Sequence, residues 1–295
     1  MMNRSKFIAL ILSVFSVPIL CVSTARAQQQ EPSARPGTLN YIEGAASIDG
    51  ERVSARAVGS AALDPGQVLT TGHGKAEMLL TPGIFFRLGD LSAAKLVSPD
   101  LTRTVVDLER GRAAVEVDQI FPQNKIQILL NGNPTQLLKP GLYEFDADRG
   151  DVRVFEGKAE VLDHDNKWID VKGHHELALA EGVSLKSHDF DTNAGKDDLY
   201  NFSSLRSQYL AEANTEMAGQ YGYAGFAPGW YWDPYGYDYT FIGLDPFFSP
   251  FGWGFYGGGL YGRGFYGGRG FYGGGVGGGV GGGGFHGGGG GGGRR

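Results

Sequence analysis

Three groups of residues in this 295-residue chain are of the types that chemistry uses. The densest is Asp163, His164, Asp165, His174, His175 and Glu176, carboxylates and imidazoles of the kind that hold divalent cations. Asp163-x-Asp165 opens as a calcium loop does. Lys167 and Trp168 then stand where another oxygen ligand and the turn glycine would follow, so the match fails. "LDHDNKW" lies between two apolar runs and reads as a polar hairpin turn. The second group, Ser187-His188-Asp189, has the letters of a hydrolase triad. Consecutive residues point apart, whereas a triad is assembled from distant segments. The third is "GFYGGRGFYGGG", Gly264 to Gly275, which combines glycine, aromatic rings and arginine as single-strand nucleic-acid binders do. No G-x-S-x-G elbow, H-E-x-x-H helix or phosphate-cradling loop accompanies these groups. The expectation is a non-catalytic protein with no cofactor and no metal site.

The ends of the chain bear on the nucleic-acid reading. Arg4 and Lys6 precede a 16-residue apolar run, Phe7 to Val22, and Ala25-Arg26-Ala27 follows. That is the pattern of a secretory signal peptide over residues 1–27, cleaved before Gln28. The run is shorter than the ~20 residues a membrane span needs, and Pro18 interrupts it, so no transmembrane segment is expected in the mature chain. Cys21 is the only cysteine and leaves with the signal peptide. Leu20 stands before it where a lipidation site wants a small residue. The mature chain then has no disulfide or thiolate and relies on its core. Cleavage takes the formal charge from −6 to −9, divided into about −13 for residues 28–245 and +4 for the four arginines beyond. An acidic exported body repels phosphate backbones. No nucleic-acid partner is expected.

Residues 28–36 read as a polar, Pro-containing linker. From Gly37 to about residue 190, short alternating runs are separated by Gly, Pro, Asn and Asp. Ile126, Ile128 and Leu130 share one face of such a run, as do Val152 and Val154, and Ala159 and Val161. Asp49-Gly50 is a hairpin signal. Gly44, Gly111 and Gly157, in "YIEGAASI", "LERGRAAVEV" and "VFEGKAEVL", are expected to let strands bend at the corners of a curved sheet. The fold class expected is all-β: a single curved sandwich or roll of short antiparallel strands.

One amphipathic helix is expected over 196–218. Leu199, Phe202, Leu205, Tyr209, Ala213 and Met217 form its apolar face, with Asp197 and Asp198 at its start and Gly219 as its stop. Residues 220–256 are crowded with Tyr, Trp, Phe, Pro and Gly, which argue against regular strands or helices. They are read as an irregular strap over the β domain, a sugar- or polymer-binding surface, or a self-association segment. Of the 50 glycines, 27 fall from Gly252 onward, so 257–295 is expected to be a disordered low-complexity tail.

The order of "GQVLTTGHGKAEMLLTPGIFFRLGDLSAAKL", "LERGRAAVEV" and "VRVFEGKAEVL" resembles the FecR-type extracytoplasmic domain over roughly residues 37 to 185. Thr81-Pro82-Gly83 replaces the turn usually written Asp-Gly-Ser. The resemblance implies an all-β periplasmic or surface domain. In founding members that domain relays a signal from an outer-membrane receptor through a membrane helix to a cytoplasmic anti-sigma segment. Here only six residues precede the apolar run, so no such segment is expected. The leading expectation is an exported binding or sensing module of the periplasm or cell surface, with an envelope protein or polysaccharide as partner. The alternative is a structural or adhesive matrix protein whose tail binds polysaccharide or self-associates. Deletion of 220–295 is expected to separate the two.

Overall fold

The alternation of apolar and polar residues that runs from Leu39 to Ala178 is what a pleated strand needs to bury one face. The computed structural model describes residues 33–179, 185–221 and 227–258. The expected signal peptide, most of the linker and the tail from residue 259 lie outside the described residues. The strands are β1 (Leu39–Ile48), β2 (Glu51–Val53), β3 (Val68–Leu79), β4 (Ile84–Leu88), β5 (Ala93–Asp100), β6 (Arg103–Arg110) and β7 (Arg112–Val117). They continue as β8 (Lys125–Leu130), β9 (Asn133–Leu137), β10 (Gly141–Asp146), β11 (Asp151–Glu156), β12 (Lys158–Leu162), β13 (Trp168–Lys172), β14 (His175–Ala178) and β15 (His188–Asp189). The helix α1 (Asp198–Tyr221) follows, then β16 (Gly229–Asp233), β17 (Asp238–Ile242), β18 (Phe247–Phe248) and β19 (Gly254–Phe255).

The first 15 strands form one sheet in the order β13-β12-β9-β8-β6-β5-β3-β4-β7-β10-β11-β14-β15, with β1 beside β3 and β2 beside β1. The sheet folds over at β3, which pairs with β5 through Val68–Thr70 and with β4 through Ala76–Leu79. Its two halves face each other and fill one core. Val106, Ile126, Ile128, Leu130, Ala159 and Val161 come from one half; Phe86, Val115, Tyr143, Phe145, Val152 and Val154 come from the other. The three apolar sets read from alternation all lie in it.

Gly44, Gly111 and Gly157 all have positive φ, at 69°, 71° and 104°. At Gly157 the chain leaves β11 in one half and enters β12 in the other. A Cβ there would lie 2.3 Å from the Tyr143 hydroxyl, which itself accepts the Lys158 N–H at 3.1 Å. Only glycine combines that backbone angle with that approach. Gly111 makes the same crossing between β6 and β7. The chain then returns to lay β8 beside β6, and this pair is parallel, unlike the antiparallel pairing expected throughout. Leaving a layer and re-entering it through the opposite one is what allows a parallel neighbour.

Two local expectations are corrected. The helix is not stopped at Gly219 but runs to Tyr221, because Gly219 does not take the positive φ of a helix-ending glycine. Residues 220–256 are not irregular throughout. β16 and β17 pair from Gly229↔Ile242 to Asp233↔Asp238, and β18 pairs with β19. Pro234 falls in the β16–β17 turn and Pro246 just before β18, where neither removes a ladder hydrogen bond.

Candidate functional site

The outer face of the β3-β4-β7-β10-β11-β14 half carries the polar positions of the alternation. The register places them in one row: Glu77↔Arg87↔Ala114↔Glu144↔Arg153↔Glu176↔His188. From Glu77 to Glu176 charge alternates along this row apart from the alanine. At the β14–β15 end the row is open to solvent. At the β3–β4 end it is covered by α1 and by the β16–β17 hairpin, and there the charges are buried.

The covered end is a buried ionic network. Arg87 Nε donates to Glu77 Oε2 at 2.6 Å and Arg87 Nη1 donates to Glu116 Oε2, and all three side chains are fully buried. From α1, Arg206 Nη2 donates to Glu77 Oε1 and to Asp238 Oδ2, each at 2.9 Å, and its guanidinium lies 4.5 Å from the centre of the Tyr41 ring. Ser207 Oγ donates to Glu116 Oε1 at 2.6 Å. One network thus ties the sheet, the helix and the hairpin. At the helix start, Asp197 Oδ1 accepts the N–H groups of Leu199 and Tyr200 at 3.0 and 3.2 Å, a side-chain cap. Its other oxygen meets Arg112, which also holds Glu144.

Two buried asparagines clip the aromatic segment down. Asn40 accepts the Tyr239 N–H at 2.6 Å and donates to the Tyr239 carbonyl at 3.0 Å and to Glu77 at 2.9 Å. Asn214 accepts the Tyr256 N–H at 2.6 Å and donates to the carbonyls of Tyr256 and Phe241 at 3.1 and 2.9 Å. Each amide acts as a strand partner would, satisfying backbone groups that burial would otherwise leave unpaired. Leu79 and Phe85 on the sheet, Leu210 on α1, and Tyr239, Phe241 and Phe255 form a second apolar cluster beneath the strap. Trp230 packs edge-on against Phe85 at 5.1 Å.

The helix buries Leu199, Ala213 and Met217 of its expected apolar face, with Phe202 half-buried against Tyr41. Leu205 and Tyr209 are exposed, while Ser203, Arg206, Ser207, Leu210 and Asn214 face inward. The sheet beneath offers Glu77 and Glu116, so the inward residues are donors. Apolar periodicity could not find them.

Electrostatics follow from this burial. Burial alone would raise the Glu77 pKa, but the charges and hydrogen bonds of Arg206 and Arg87 overcome it and hold the carboxyl at about 2. Asp118 goes the other way. Burial, then the Glu116 carboxylate, push it well above the usual carboxylate range. The signs therefore oppose. Glu77, depressed in the folded state, contributes stability that is complete above its ordinary value of 4.5 and is lost as pH falls toward 2. Asp118, raised above 3.8, removes stability as pH rises through the window above that value. Asp118→Asn, which keeps the uncharged shape, is expected to be more stable than the parent at pH 7 and equal to it near pH 3. Urea melts at the two pH values check this. A variant less stable at pH 7 would show that Asp118 is ionised in the folded protein.

The sequence-derived ligand group is not assembled. Asp163 Oδ1 accepts the N–H groups of Asp165 and Lys167 at 2.9 and 2.8 Å, which makes the exposed β12–β13 segment the polar turn expected of it. His174 occupies another turn with φ 66°. His175 and Glu176 instead face β15, with His175 Nε2 3.1 Å from Asp189 Oδ1 and His188 Nε2 3.2 Å from Glu176 Oε1. His188 and Asp189 are thereby spent on cross-strand pairs, apart from Ser187. Among the described residues no group of three or more His, Cys, Asp or Glu is placed to hold a metal ion, and no helix is long and apolar enough to cross a membrane. The segment Gly264 to Gly275 lies outside the described residues.

Two structures of a "putative anti-sigma factor" from Parabacteroides distasonis ATCC 8503 are similar to this chain at 15% identity, with TM-scores of 0.37 and 0.36. The match covers 42% of this chain and 60% of that one, so this chain spans about three fifths of that protein's length. The likeness is weak and partial. No family model matches the chain, and no curated protein matches it.

Proposed function

We propose that the chain is a non-catalytic exported envelope protein in which a FecR-like β body carries a binding surface and acts as a protein-sensing module. The observation that carries this reading is the face built by α1 and the β16–β17 hairpin. Tyr209, Tyr235 and Tyr237 stand out from it at 51%, 75% and 69% exposure. The backbone under them is fixed by the Arg206–Asp238 pair and by the Asn40 clip on Tyr239. Exposed aromatic rings on a rigid base are what a protein partner uses as anchors, since little side-chain entropy is lost on binding. The signal-peptide pattern of residues 1–27 supports export, and the order of motifs between residues 37 and 185 supports the FecR-like assignment.

The test is a pull-down from envelope extract with the mature chain (28–295) and its Y209A/Y235A/Y237A variant. One discrete protein held by the parent and lost from the variant is the expected result. Polysaccharide or further copies of the chain, held equally by both, would sink the sensing reading in favour of an adhesive matrix protein working through its glycine-rich tail.

A further inference from the structure

The layer laid over the outer face of the sheet, α1 and residues 227–258, is set apart by charge as well as by rings. From Asp198 to Gly258 the chain carries six acids (Asp198, Glu212, Glu216, Asp233, Asp238 and Asp245) and one base, Arg206. That base is buried and held at 2.9 Å by both Glu77 and Asp238, so its charge is spent inside. Eleven large apolar side chains are exposed among the described residues. Four of them, Leu91, Val97, Leu101 and Trp168, lie on the β body, and the other seven stand on this layer.

The exposed stripe of α1 joins the two properties. Leu205, Tyr209, Glu212 and Glu216 follow one another at spacings of four, three and four, which places them on one side of the helix. Between that stripe and the β16–β17 turn lies a cleft of about 320 Å³, with Tyr209 and Tyr235 on its walls beside Glu212 and Glu216. Among the described residues neither glutamate has an ion-pair partner, and Glu212 accepts only from the Gln208 amide, at 3.1 Å.

Sign and shape together choose the occupant. A second copy would set one acidic layer on another, which like-charge repulsion disfavours. A phosphate-bearing surface is repelled for the same reason. What fits is a protein segment that carries arginine. Its guanidinium forks onto carboxylates and its flat face stacks on tyrosine, whereas an ammonium offers a compact, strongly hydrated charge.

We propose that this layer docks a basic segment of a partner protein, with arginine seated in the cleft against Tyr209 and Tyr235 and facing Glu212 and Glu216. The inference rests on the reading of the tyrosine face as the binding surface and names the chemistry of what it binds.

The experiment titrates the full mature chain, at low salt, into a fluorescent dodecapeptide of alternating arginine and glycine and follows anisotropy. Lysine–glycine and glutamate–glycine peptides are the comparisons. The arginine peptide is expected to bind at least about threefold tighter than the lysine peptide, and the glutamate peptide not at all. E212Q/E216Q should weaken the arginine peptide at least about fivefold, the size of two lost surface charge pairs. E51Q/D165N, which neutralises two exposed acids of the β body, should change it less than about twofold. Y209A/Y235A should bring the arginine and lysine affinities together. Four results overturn the proposal: no binding of the arginine peptide, equal affinity for both cationic peptides, an arginine preference that survives Y209A/Y235A, or a loss in E212Q/E216Q no larger than in E51Q/D165N, which would mean attraction to the acidic body at large. The pull-down is read separately. A discrete partner captured by a chain that ignores the arginine peptide removes the basic segment and keeps the sensing reading. Arginine-peptide binding with no discrete partner in the extract does the reverse.

Discussion

Arg87→Met is expected to destabilise the protein by about 3–5 kcal/mol, the range seen when one member of a buried ion pair is removed. The two acids it serves do not suffer equally. Glu77 keeps Arg206 and Asn40. Glu116 keeps only the Ser207 hydroxyl, with Asp118 beside it. The loss therefore falls mostly on Glu116, left as a buried carboxylate without a cation. That makes a double variant informative. R87M/E116Q removes the stranded charge while leaving a group that can still accept from Ser207, and it is expected to recover at least about 1–2 kcal/mol of the loss. Urea denaturation of parent, single and double variants measures both. An R87M protein within about 1 kcal/mol of the parent would mean that water reaches Glu116. The buried network would then not be what holds helix to sheet.

How much of this was legible is best seen residue by residue. Glu77 lies between Ala76 and Met78, Arg87 between Phe86 and Leu88, Glu116 between Val115 and Val117, and Glu144 between Tyr143 and Phe145. Alternation places each on the face away from the core, and that much is local. It does not say whether the outer face meets water or protein, which depends on residues more than a hundred positions away. Arg206 is 129 residues from Glu77, and Tyr239 is 199 from Asn40. The helix and part of its buried face, Leu199, Ala213 and Met217, follow from its period, but its polar contacts do not. Apolar spacing also selects Leu205 and Tyr209, which are exposed, and passes over Arg206, Ser207 and Asn214, polar residues answering a polar sheet. The glycine corners were legible because positive φ and close approach are demands on a single residue. The hairpins of 229–255 were hidden by their composition, since Gly and Pro at turn positions lower the apparent strand propensity of the whole segment. The histidine cluster was crowded in sequence and dispersed in space, because residues 163–165 and 174–176 flank opposite ends of β13.

The deletion that the sequence offers as a way to separate sensing from adhesion is expected to fail for a structural reason. A chain ending at Gly219 loses Tyr239, Phe241, Ile242 and Phe255, all buried. At about 1.5–3 kcal/mol for each apolar side chain, their loss amounts to ~6–12 kcal/mol, comparable to the ~5–15 kcal/mol by which whole domains are stable. Polar losses add to this. Arg206 gives up Asp238, Asn214 gives up every backbone partner it holds in the strap, and Asn40 keeps only Glu77. The shortened chain is expected to unfold without a cooperative transition and to bind a hydrophobic dye, with Leu79 and Phe85 laid open. A chain ending at Gly258 keeps all of these contacts and is expected to melt within about 2 °C of the full mature chain. Thermal melts followed by near-ultraviolet circular dichroism decide it, since packed tryptophans report the strap directly. If the chain ending at Gly219 melts cooperatively near the parent temperature, the helix and hairpin are accessories to an independent β body. If it does not, residues 198–258 belong to the fold, and any loss of partner binding on deleting 220–295 reports unfolding rather than the work of the tail. The cut that separates the two functional readings then lies at Gly258.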